Sequence, residues 1–241
     1  MNDLYISSIR IDWGMVEKRS YLHKISTLRN MNELHFTKNI TFFVGENGTG
    51  KSTLLEAIAV AYGFNKEGGT LNYRFSNFDD VSTLSEAMHV YRGWKRPLGH
   101  YFFRAETFFN LASKANEYDK ERGRPSYGNK GLHEQSHGES FLSFFQSFDR
   151  NGIYIMDEPE AALSPQRQMT LLIHIAQMAK EGAQFIIATH SPILLALDNA
   201  QILSFDGDII HECTYEECEC YKITEMFINN KEYMMNKLLK E

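Results

Sequence analysis

Gly45-Glu46-Asn47-Gly48-Thr49-Gly50-Lys51-Ser52 is the stretch that decides how this chain is read. It fits the pattern G-x-x-x-x-G-K-[ST] at every specified position. Its surroundings fit as well. Ile40 to Val44, just before it, is a short apolar run that predicts a buried strand. Lys51 to Tyr62, just after it, predicts a helix that buries Leu54, Leu55, Ile58 and Ala61 on one face. A glycine-rich turn between strand and helix aims backbone N–H groups at phosphate oxygens, and the helix dipole favours the same charge. Gly45, Asn47, Gly48, Thr49, Gly50, Lys51, Ser52 and Thr53 are therefore the candidate nucleotide-binding residues. In this pattern the lysine, Lys51, takes the β- and γ-phosphates, and Ser52 offers a hydroxyl ligand to Mg²⁺.

Further along, Ile153 to Met156 predicts a second buried strand that runs into Asp157-Glu158-Pro159. Asp157, at the strand end, is a candidate for holding Mg²⁺ through water. Glu158, one residue on, points elsewhere and is the candidate for polarising an attacking water. Ser164-Pro165 predicts a helix start, a capping hydroxyl followed by proline, and the helix should run to about Lys180 and stop at Gly182. Phe185 to Ala188 predicts another buried strand, followed by Thr189-His190-Ser191-Pro192 and a short helix. Ile202–Phe205, Asp206-Gly207 and Asp208–His211 predict a hairpin, and Leu4 to Ile11 an opening strand. Strands alternating with helices imply an α/β fold with a mostly parallel sheet covered by helices.

These residues resemble the ABC-type ATPases. Asp157-Glu158-Pro159 with Ala161-Ala162-Leu163 resembles their Walker B motif and D-loop, and Ile186-Ile187-Ala188-Thr189-His190-Ser191 resembles their H-switch. Gln135-Ser136-His137-Gly138-Glu139 stands where their signature lies, and it is nearer the S-x-G-E form of soluble Rad50/SMC-like heads than the transporter form L-S-G-G-Q. A purely structural capping box, Ser136 with Glu139, accounts for the same residues. The resemblance implies a P-loop NTPase sheet with an N-terminal antiparallel β part. It gives His190 a γ-phosphate contact, and gives Ser136 and Gly138 a role in completing the site of a second protomer. Glu158, His190 and Lys51 become the catalytic candidates, and Ser52, Asp157 and Glu106 the metal candidates. Glu106, after Phe102-Phe103-Arg104-Ala105, stands in for the usual Q-loop glutamine; otherwise Arg104 and Glu106 form a structural ion pair. Ser164 takes the place of the D-loop aspartate, a departure from the family pattern. Between Glu106 and Ser136 lie 29 residues, too few for a coiled-coil arm, so the resemblance is to small bacterial heads of the AAA-family ATPase group.

The 241 residues suit one domain over 1–241, with 64–99 read as an irregular inserted lobe and 222–241 as a C-terminal amphipathic helix packed on the core or free to dock a partner. Three cysteines without an export signal, and no apolar run of the ~20 residues a membrane span needs, point to the cytoplasm and to no membrane insertion. The spacing of His211, Cys213, Cys218 and Cys220 is a poor match to a zinc site. Net charge is −6, so nucleic acid has no support as a direct ligand beyond the mixed-charge run around Lys120, Arg122, Arg124 and Lys130. The reading is thus an ATPase that uses ATP and Mg²⁺, forms an ATP-dependent homodimer and acts as a soluble switch on a protein effector, in DNA repair or phage defence by analogy. The alternative is the nucleotide-binding subunit of an ABC transporter. A P-loop kinase and a non-hydrolysing ATP sensor account for fewer of the motifs.

Overall fold

In the computed structural model, the described residues are 3–66, 68–70, 83–105, 145, 148 and 151–239. Two sheets share the core. The smaller is antiparallel, with β1 (Ile6–Ile11) between β2 (Glu33–His35) and β4 (Met88–Arg92). The larger runs in the order β5 (Gly99–Arg104), β6 (Gly152–Asp157), β7 (Gln184–Ala188), β3 (Ile40–Val44), β8 (Gln201–Ser204) and β9 (His211–Glu212). All its pairings are parallel except β8 with β9 at the edge.

Alternation along the central strands sorts side chains between two apolar layers. Phe43, Ile153, Ile155, Ile186 and Ala188 face α2 (Lys51–Tyr62) and the antiparallel sheet. Phe42, Tyr154, Met156, Phe185 and Ile187 face the other layer, which includes Leu171, Ile175 and Met178 of α4 (Pro165–Lys180) and Leu194 and Leu195 of α5 (Pro192–Leu195). Full burial of each such side chain stabilises the fold by about 1.5–3 kcal/mol, so the sheet is a rigid base for whatever its strand ends carry. Gln184 clasps the two sheets together: its Oε1 accepts from Ile6 N at 2.8 Å and its Nε2 donates to Ile6 O at 2.9 Å, in a fully buried position. The short helices α1 (Ser26–Arg29) and α3 (Thr83–Glu86) complete this side.

Several sequence expectations are corrected. The stretch 64–99 is not irregular throughout, because α3 lies in it and β4 pairs with the whole length of β1. Ser164 has the extended backbone of a helix cap, but its side chain makes no capping hydrogen bond; proline at the first position already removes one of the orphan N–H groups. The hairpin after the H-switch exists, but its strands are only Gln201–Ser204 and His211–Glu212, so the turn is a wide loop rather than Asp206-Gly207 alone. Beyond it the chain forms two helices, α6 (Glu219–Asn229) and α7 (Lys231–Leu239), and neither contains a buried residue. The anchor on the core is Cys218, which is buried just before α6, while Ile228, Leu238 and Leu239 lie exposed. Core packing of this tail is therefore confined to its start.

Candidate functional site

The carboxyl ends of β3, β6 and β7 converge on one edge of the larger sheet, and each carries one part of the site. From β3 the chain enters the glycine-rich loop, where Gly45, Gly48 and Gly50 all have positive φ. Gly50 is the N-cap of α2 at φ 97° and ψ 6°, a left-handed conformation that an L side chain resists. A Cβ there would lie 2.9 Å from Ile25 Cγ2 and 3.0 Å from Leu28 Cγ. Glycine is thus required on two counts, backbone and space. The same α1 region braces the loop through Thr27, whose hydroxyl donates to Thr49 O at 2.5 Å.

Lys51 is buried, and its Nζ donates to Gly45 O at 2.5 Å and Glu46 O at 2.8 Å. Burial pushes its pKa below the ordinary lysine value, partly offset by the charges of Glu158, Asp206, Asp157 and Glu46. An ammonium held on neutral carbonyls keeps its charge available to an anion entering the loop. Asn47, Gly48, Thr49 and Thr53 fall in the same loop and first turn of the helix.

At the end of β6, Asp157 meets α2. Ser52 Oγ donates to Asp157 Oδ1 at 2.9 Å, joining two residues 105 positions apart. A hydroxyl and a carboxylate oxygen side by side, next to the glycine-rich loop, are a donor set suited to a hard, oxygen-seeking cation such as Mg²⁺. Glu158 follows in a left-handed conformation, φ 48° and ψ 55°, unusual for a residue with a side chain. Its N–H donates to Ala188 O at 3.0 Å, while its carboxylate turns out of the sheet and lies 3.9 Å from His190 Nε2. Burial first, and the Lys51 charge second, hold the His190 pKa below the ordinary value, so the ring is neutral near pH 7.

Three contributors escaped the sequence reading. Asp206, read as half of a turn, accepts from Glu46 N at 2.9 Å through Oδ1 and so fixes the start of the loop. Glu160, the second acid after β6, is turned inward, and its Oε1 accepts from His190 N at 2.7 Å. The third is α6. Cys220 and Ile223 line a cavity of about 150 Å³ whose opposite wall is Gly45, Glu46, His190 and Asp206. An Asp-Gly pair and an extra acid in D-E-P-E were visible signals, whereas nothing in the sequence indicated where α6 would lie.

Other candidates fall elsewhere. Glu106, Ser136, Gly138 and the basic run near Lys120 lie outside the described residues. Arg104 is paired with Glu56 of α2 at 2.8 Å, and parallel pairing of β5 with β6 leaves it at the level of Asp157; the expected ion pair of Arg104 with Glu106 falls outside the described residues. Cys213 and Cys218 have their sulfurs 3.9 Å apart, and no cluster of three or more potential metal-ligating His, Cys, Asp or Glu groups occurs among the described residues. Among those residues no helix is long and apolar enough to cross a membrane.

An AAA-domain family model matches residues 19–121, and a second AAA-domain model, named for the AbiEii toxin of type IV TA systems, matches residues 132–196. A ribose import ATP-binding protein from Bacillus cereus is 25% identical over 225 residues, 83% of this chain. The chain spans only 44% of the length of that relative. An SMC head, solved bound to the C-winged helix domain of ScpA, superposes with a TM-score of 0.50 at 15% identity, covering 88% of this chain and 99% of the other. The SMC head domain from Thermotoga maritima gives 0.46 at 14% identity, over 88% and 99% of the two chains. A nucleotide-free ATP-binding cassette of an ABC transporter gives 0.47 at 16%, over 95% and 97%.

Proposed function

Because the chain is an ABC-type P-loop ATPase head, we propose that it hydrolyses ATP with Mg²⁺ and works as a switch in which two heads close around the nucleotide. The observation that carries the reading is the 2.9 Å contact of Ser52 Oγ with Asp157 Oδ1 beside the buried Lys51. Two distant segments meet there with the groups needed to hold a triphosphate and its metal.

In this reading, the loop N–H groups and Lys51 bind the phosphates, with Gly45, Asn47, Gly48, Thr49, Gly50 and Thr53 forming the cradle. Ser52 and Asp157 hold Mg²⁺, and Glu106 is a further contact. Mg²⁺, when bound, withdraws charge from the phosphate oxygens as a Lewis acid. Glu158 orients a water and takes its proton. His190, neutral and close to Glu158, donates to the γ-phosphate. Ser136 and Gly138 of a second protomer close the site over the phosphates. The output is a protein effector in the cytoplasm, with repair or phage defence as the analogous settings.

The test is the light-scattering mass of Glu158→Gln with and without Mg-ATP. Monomer without nucleotide and dimer with it are expected, because blocked hydrolysis holds the closed state. A monomer that binds ATP yet stays a monomer refutes the clamp. A second reading, the nucleotide-binding subunit of a transporter, is favoured by the similarity to the ribose import protein. It requires that the chain co-fractionate with a membrane-spanning partner, and recovery wholly in the soluble fraction of its source cells would refute it.

A further inference from the structure

Glu160 is a partly buried acid to which the chemistry above gives no task. Its side chain leaves the 3-10 turn Pro159–Ala162 and returns under the H-switch, where Oε1 accepts from His190 N at 2.7 Å. Its other oxygen, Oε2, is withdrawn from solvent, and the Thr189 side chain also hydrogen-bonds the carboxylate. Taking a carboxylate out of water is costly, so stability alone is a poor reason for an acid at this position. Three further bonds make the arrangement specific. Glu158 N donates to Ala188 O at 3.0 Å, fixing the start of the turn to the end of β7. Ser191 N donates to Thr189 Oγ1 at 3.0 Å, and Ser191 Oγ donates to Gln168 Oε1 at 2.6 Å, fixing the residues that flank His190. The backbone N–H of His190 itself is held by Glu160.

We propose that Glu160 is a positioning residue that sets His190 against Glu158, so that one short turn carries both the water-activating carboxylate and the strut for its histidine neighbour. This rests on the ATPase reading above. Glu158 and Glu160 are two residues apart on one rigid turn, and the 3.9 Å between Glu158 Oε1 and His190 Nε2 is closed through the Glu160 contact. Burial raises the pKa of Glu160, while the His190 N–H opposes the rise, as expected for an acid whose main hydrogen bond is to a backbone donor. The acceptor oxygen, rather than the charge, is what the contact needs.

The experiment compares Glu160→Gln, which keeps an acceptor oxygen, with Glu160→Met, which fills the space without one. Steady-state ATPase kinetics on the full chain should give Glu160→Gln a kcat within about twofold of wild type, and Glu160→Met a kcat lower by about 10–100-fold, since ångström-scale misplacement costs on that order. KM for Mg-ATP should move much less than kcat, because Lys51 and the glycine-rich loop that bind the phosphates in the proposed reading are left in place. In a His190→Ala background, Glu160→Met should add almost nothing, since its effect passes through His190. An equal loss with and without His190, or a loss confined to KM, overturns the proposal. If Glu160→Met does not fold, the His190 amide proton resonance decides: it should move upfield in Glu160→Gln, and an unmoved resonance overturns the contact. Wild-type protein that binds ATP without turnover would instead refute the ATPase reading, and the amide resonance would still report on Glu160.

Discussion

Replacing Gly50 by alanine tests the loop geometry without touching a phosphate-binding side chain. Two costs are separable. At φ 97° the left-handed conformation penalises any L residue by roughly 1–2 kcal/mol. The new methyl would also lie 2.9 Å from Ile25 Cγ2, 3.0 Å from Leu28 Cγ and 3.2 Å from Leu28 Cδ1. Those atoms cannot swing aside cheaply, because Leu28 is fully buried and both Ile25 Cγ2 and Leu28 Cγ lie only one bond beyond Cβ. Overpacking of this kind costs roughly 1–3 kcal/mol, for a total of roughly 2–5 kcal/mol. Gly48 is the internal control: its φ is 83°, yet an added Cβ meets nothing within 4 Å. Gly48→Ala should therefore cost only the backbone part, roughly 1–2 kcal/mol. The difference, roughly 1–3 kcal/mol, corresponds to roughly 2–12 °C in Tm for a chain of this size. Urea unfolding of both nucleotide-free variants, with unchanged m-values, measures it directly. Equal midpoints for the two variants would refute the claim that α1 packs on the loop at Gly50.

Two further predictions concern the groups around the site. Since the folded-state pKa of His190 lies below the ordinary value, the unfolded chain takes up its proton first as pH falls through about 6.5, so nucleotide-free protein should lose stability from there down through the lowered pKa. His190→Gln should lose less between about pH 7.5 and 5.5, and an identical shift in urea midpoint would refute this assignment. Arg104 and Glu56 are mostly buried and 2.8 Å apart, so Arg104→Met and Glu56→Gln should each cost roughly 1–3 kcal/mol, with the double variant well short of the sum. Additive costs in chemical denaturation would show that the two side chains do not act as a pair.

Local pattern made much of this fold legible. Ile40–Val44 and Lys51–Tyr62 are found with the predicted bounds, because an all-buried strand, a loop that tolerates only glycine at key points and an uninterrupted helix all leave strong marks in sequence. The helix from Pro165 to Lys180 and the strand after it were legible for the same reason. What sequence did not disclose is tertiary. His89 and Tyr91 on β4 are polar or exposed, as suits an edge strand, so nothing marked 88–92 as a partner of β1. The C-terminal helices carry an apolar face that reads as core, yet Met226, Ile228 and Leu238 are exposed. Periodicity reports that a face is apolar, not what covers it.

The acids at the end of β6 show the same limit at the scale of a single turn. Asp157, Glu158 and Glu160 have the same functional group, and spacing alone gave the third no task. Backbone geometry separates them. Asp157 is still in the strand, so its side chain is carried to Ser52. Glu158 is rotated by its left-handed φ, and its carboxylate emerges beside His190. Pro159 then starts a 3-10 turn that sends Glu160 back inward to the His190 N–H. A residue with a side chain at positive φ is strained by roughly 1–3 kcal/mol and persists where its surroundings hold it. Here Glu158 is held by its N–H on Ala188, and that strain sends three like side chains to three places: Asp157 to Ser52, Glu158 out beside His190, and Glu160 in to the His190 N–H.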